Sequence, residues 1–183
     1  MGVAGSAKMR CQTMSERNEI AIHHTDFAGF QEGYVRHYIA LADTKAAVVF
    51  GVCSSLVGYI LANREYRQLI QDGFSKPDSF TALVVGAALV LAASLSLSVV
   101  IPRLPKGAEG LVFFGAVNNF KDGQTYRAAI SACTESQLTA ARIDHCYTTS
   151  KVCWRKYTVL RASIWAAIVG IVLLGILLPT ITP

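Results

Sequence analysis

Asp43 and Lys45 stand in ALADTKAAVVF, residues 40–50, at the edge of a run that carries no further charge until Arg64. Two apart on a helix, they cannot face each other, because neighbours on a helix surface are three or four apart. Arg103, Arg155, Lys156 and Arg161 stand at the ends of two later apolar runs. Cations of this kind can clasp a carboxylate or meet a phosphate through charge-assisted hydrogen bonds. Tyr34, Tyr38, Phe113, Phe114, Tyr126 and Tyr157 offer ring faces on which a base can stack while Arg or Lys pairs its phosphate. His23, His24 and Asp26 in HHTDF have no cysteine or carboxylate partner at helical spacing, so they read as a solvated tract rather than a metal site. Cys11, Cys53, Cys133, Cys146 and Cys153 match no CxxC zinc pattern and read as reduced and structural.

The elements that position these groups follow from where charge is missing. Hydrophobic residues make up 52% of the 183-residue chain, concentrated in charge-free stretches at 46–62, 79–102 and 162–183. A helix crosses a bilayer core of about 30 Å with about 17–25 mostly apolar residues. So small a chain has no soluble core able to hide three such helices. The expected class is an all-α membrane protein, with three transmembrane helices and a cytoplasmic helical segment between spans two and three.

The segments read as a flexible N-terminus at 1–29, a helix continuing into span one at 30–62, a polar connector at 63–78, span two at 79–102, a helical sensor segment at 103–160, and span three with a short C-terminus at 161–183. Val35, Tyr38, Ile39 and Ala42 recur at helical spacing, so the first helix is expected from about Phe30. A helix is expected from Gln124 through Cys133, and another from Ser136 that rises unbroken into span three. Residues 1–28 hold no apolar leader core, so no cleavage is expected. MGVAGS fits a myristoylation pattern too short and common to carry weight.

Fourteen lysines and arginines fall in the N-terminal part and the long second loop, and three, Arg64, Arg67 and Lys76, fall in the connector. The positive-inside rule makes the richer side cytoplasmic, so the N-terminus and the 103–160 segment are expected inside and 63–78 in the periplasm. The net charge of +5 belongs to that inner side. It suits anionic headgroups or an anionic ligand, and charge alone does not choose between them.

With this topology Asp43, Lys45, Arg103, Arg155, Lys156 and Arg161 gather near one membrane surface. Lys45 can snorkel on its long stem, whereas short, acidic Asp43 cannot. Asp43 is therefore expected to face inward against Arg103 or Lys156, an interfacial charge clasp of Asp43, Lys45, Arg103 and Lys156. Gly51 with Ser55, Ala88 with Ala92, Ser94 with Ser98 and Ala166 with Gly170 have helix-packing spacing, within one protomer or between protomers. No phosphate-cradling loop, nucleophile elbow or HExxH is present, so an enzyme is not expected.

YVRHYIALADTKAAVVFG before and into span one, IPRLP after span two, LVFFGAV, a helix carrying Tyr126, and WRKYTVLRASIW leading into span three resemble, in order and spacing, the transmembrane effectors of Pycsar antiphage systems. The similarity runs over 34–169. It implies an effector of the bacterial inner membrane, without cofactor and without nucleic acid, answering cyclic UMP or cyclic CMP from a partner pyrimidine cyclase. The effector impairs the membrane so that the cell dies or stalls before phage matures, and a homo-oligomer is expected. Carried onto this chain, Arg103 and Lys156 become candidate phosphate partners, with Phe113 or Tyr126 as a stacking surface. A passive membrane anchor or assembly subunit, and a small channel without nucleotide input, have the same span count.

Overall fold

Proline is missing from the chain until Pro77, and the first helix uses that freedom: α1 runs Val3–Ala62 without interruption. The computed structural model describes residues 3–71, 77–101 and 111–181. After α1 come α2 (Arg64–Gln71), α3 (Pro77–Val100), α4 (Phe114–Val117), α5 (Gly123–Ser131) and α6 (Glu135–Ile181). There is no strand among the described residues. Three stretches, Asp26–Ala62, Pro77–Val100 and Glu135–Pro179, are long and apolar enough to cross a membrane. The all-α, three-span class is therefore the observed one.

Two segments differ from the expectation. The helix begins at Val3, far upstream of Phe30. Residues 3–29 lack proline and are rich in good helix formers. Extending an existing helix avoids the costly nucleation step, so no apolar stripe is needed to announce it. The start of the connector, Arg64–Gln71, is also helical. Asn63 Oδ1 accepts the backbone N–H groups of Glu65 at 2.9 Å and Tyr66 at 3.1 Å, which caps α2. Tyr66 is buried, and its hydroxyl donates to the Ala82 carbonyl at 2.6 Å, fastening α2 to α3. Burial pushes its phenol up to about 12.

The remaining boundaries have local causes. Pro77 opens α3, where its missing N–H costs nothing, and Asp78 in the first turn suits the helix dipole. The helix stops at Val100, just before Pro102, whose ring disfavours helical backbone in the residue preceding it. Asp122 caps α5, accepting from the Thr125 N–H at 2.7 Å and the Thr125 hydroxyl at 2.8 Å. Thr134 and Gln137 form a capping box at the start of α6: Gln137 Oε1 accepts from Thr134 N at 2.8 Å, and Thr134 Oγ1 from Gln137 N at 3.3 Å.

The chain divides into two units, Met1–His37 with Leu104–Val152 and Tyr38–Arg103 with Cys153–Pro183, here the first and second units. The second unit holds the apolar bundle. Inside a bilayer water does not drive helices together, so close packing and interhelical bonds must hold them. Leu89 and Ala92 of α3 pack with Ala167 and Leu174 of α6 and Cys53 and Ile60 of α1, all buried. Gly170 of α6 allows the closest approach: a Cβ there would lie 2.9 Å from Leu89 Cδ2. Ser163 Oγ donates to the Ala92 carbonyl at 2.8 Å and lies 2.6 Å from Ser96 Oγ. A hydroxyl has one proton, so Ser96 is the donor to Ser163. The opposite faces carry exposed Val48, Phe50, Leu91, Trp165 and Ile176, apolar surface that suits a lipid solvent.

Candidate functional site

Asp43 on α1 and Lys156 on α6 meet: Lys156 Nζ donates to Asp43 Oδ1 at 2.5 Å. The pair sits over a small apolar cluster of Ala42, Ala46, Val99 and Leu160. Ala42 and Ala46 flank Asp43 along the helix and are fully buried, and their small side chains leave α1 close enough for the lysine to reach across. The side chains of Lys156 and Asp43 are 18% and 35% exposed, partly withdrawn from water. Beside them the Tyr38 and Tyr157 rings tilt against each other at 6.2 Å between centroids. Lys45, Arg155 and Arg161 are exposed in the same unit, cations directed outward. Arg103, the other expected partner of Asp43, lies outside the described residues.

Phe113 and Tyr126 belong to the first unit. Phe113 is half-buried, 4.7 Å from the Phe114 ring and 6.4 Å from the His145 ring of α6. Gly115 makes that position possible, since a Cβ there would come within 2.5 Å of Phe113 Cε1. Tyr126 is held differently: its hydroxyl donates to the Leu111 carbonyl at 2.8 Å and its ring lies 5.2 Å from Phe120. It therefore ties α5 to the segment before α4, while Phe113 retains a ring beside α6. Lys156 belongs to the second unit.

The first unit also contains a charge arrangement that sequence reasoning missed. Glu32 of α1 accepts from Arg36 Nη2 through Oε1 at 2.5 Å and from Arg142 Nε of α6 through Oε2 at 3.3 Å. The two helices are close here. The Cys146 thiol faces the Ala28 carbonyl at 3.5 Å, and a Cβ on Gly29 would lie 3.3 Å from Arg142 Nη2. Glu32 and Arg36 are four apart and could have been paired from sequence. Nothing local announces Arg142.

Three apolar helices, buried hydroxyls between them and ion pairs joining α1 to α6 define a multi-pass membrane protein with charged helix-to-helix ties. The Pycsar effector protein domain matches residues 27–181, and the chain belongs to that family, the effectors of an antiphage defence that works with a cyclic nucleotide system. No curated protein and no solved structure matches the chain.

Proposed function

We propose that this chain is the membrane-impairing effector of a Pycsar antiphage system. Cyclic UMP or cyclic CMP, made by a partner pyrimidine cyclase upon infection, binds the first unit. The Asp43–Lys156 clasp then opens, the helices of the second unit shift, and the inner membrane loses integrity before phage matures. The observation that carries this reading is the family domain over 27–181, nearly the whole of the three-span fold.

The charge distribution supports an N-terminus and a first unit on the cytoplasmic side, where the nucleotide is made. Phe113, a ring with no polar group to satisfy, is the better base-stacking surface; the hydroxyl of Tyr126 is already engaged. Lys156, held by Asp43, is the cation that the active state releases. A ligand shifts an equilibrium only by its differential affinity for the two states, so the site must differ in geometry before and after the clasp opens. Gly51 and Ser55, exposed on α1, offer close-packing surface for a homo-oligomer. No catalytic step is required of the chain.

The test is membrane potential in cells expressing the protein with and without an active pyrimidine cyclase. Depolarisation only when both are present is expected. A potential that stays intact with the cyclase active overturns the reading, and depolarisation without it points instead to an ungated channel.

A further inference from the structure

The Arg36–Glu32–Arg142 bridge ties α1 to α6 within the first unit, and its chemistry is also that of an occupied anion site. One carboxylate offers both oxygens to two guanidinium groups from different helices. The two non-bridging oxygens of a phosphodiester present the same pair of acceptors on one centre, and arginine recognises both groups in the same manner. We infer that Glu32 occupies this site at rest, and that the phosphodiester of the cyclic nucleotide displaces it from Arg36 and Arg142.

The surroundings support displacement rather than a permanent tie. The Arg36 side chain is 71% exposed and that of Arg142 39%, so both can be reached from water, while Glu32 is 16% exposed. Ion pairs this open to solvent contribute little to stability, so the carboxylate is weakly held. Two guanidiniums and one carboxylate leave a net positive charge that favours an incoming anion. Gly29 gives Arg142 room against α1, and any side chain there would crowd the guanidinium at 3.3 Å. His145 lies three residues from Arg142, on the same face of α6, and the Phe113 ring stands 6.4 Å from it, so a ring for the base contacts the helical turn next to Arg142. The identity of the ligand rests on the proposed function; the anion chemistry of the site does not. The assignment leaves Lys156 to the clasp.

Full-length protein in nanodiscs, titrated separately with cyclic UMP, cyclic CMP and inorganic phosphate, tests this with Glu32→Gln, Arg142→Gln and Arg142→Lys. Removing the competing carboxylate should tighten binding at least about 5-fold. Arg142→Gln should weaken it at least about 10-fold, and Arg142→Lys should restore part of that loss, since a charge-assisted bond to phosphate is worth more than a neutral one. Should Arg142→Gln fail to fold, by thermal unfolding, Glu32→Gln and Arg142→Lys decide alone. Wild-type protein that binds cyclic UMP with an affinity indifferent to these substitutions overturns the inference and leaves the proposed function standing. Arg142-dependent phosphate binding by Glu32→Gln, with neither nucleotide bound by any variant, supports the site and removes the nucleotide reading. Absence of binding for every probe overturns both.

Discussion

Lys156 Nζ lies 2.5 Å from Asp43 Oδ1, so the carboxylate on α1 and the ammonium on α6 neutralise each other between helices rather than facing lipid separately. Breaking the pair by removing one partner leaves the other charge partly desolvated, which costs more than the pair itself contributes.

Asp43→Asn should therefore leak in the absence of any cyclase, read as a lowered membrane potential, and the swapped pair Asp43→Lys with Lys156→Asp should restore much of it. Lys156→Ala separates two roles. If nucleotide binding opens the clasp, linkage requires that an open clasp bind nucleotide at least as well. Lys156→Ala should then retain or tighten cyclic UMP affinity, whereas a tenfold loss would make Lys156 a phosphate partner after all.

The buried hydroxyls of Ser96 and Ser163 form an interhelical bond beside the Ser163 bond to the Ala92 carbonyl. Ser163→Ala should cost about 0.6 kcal/mol and no more than about 1.7 kcal/mol, the average and the maximum for interhelical side-chain bonds in a membrane protein. A double-mutant cycle with Ser96→Ala, followed by unfolding in detergent, should show coupling between the sites. Simple additivity would mean that each serine acts alone.

Asp122 predicts a pH effect. The Thr125 backbone N–H, and then the Thr125 hydroxyl, hold its carboxyl below the ordinary 3.8. A depressed carboxylate stabilises the fold fully above its ordinary value and loses that contribution as pH falls through the lower, folded one. Amide exchange in α5 should quicken as pH drops through that window, after correction for intrinsic rates. Asp122→Ala should abolish the dependence and weaken the cap.

The spans were legible because missing charge over 46–62, 79–102 and 162–183 is a bulk property that no tertiary contact needs to supply. Pro102 marked the end of α3 for a stereochemical reason, and Asp43 was legible as an inward-facing group because its short stem cannot reach the headgroups. Its partner was narrowed only to Arg103 or Lys156, since sequence does not report which cation has the right azimuth. The extension of α1 to Val3 left no apolar periodicity to read. The capping box at Thr134 and Gln137 was present in the sequence and went unused. The Glu32–Arg142 contact joins residues 110 apart and has no local signature at all.

The Ser96–Ser163 bond also limits how α3 and α6 can move. A slip of one residue would turn a serine about 100° around its helix and break the bond between the two hydroxyls. Rocking about this fixed point keeps the bond, so the two helices are pinned like scissor blades at a rivet, free to splay at their ends but not to slide.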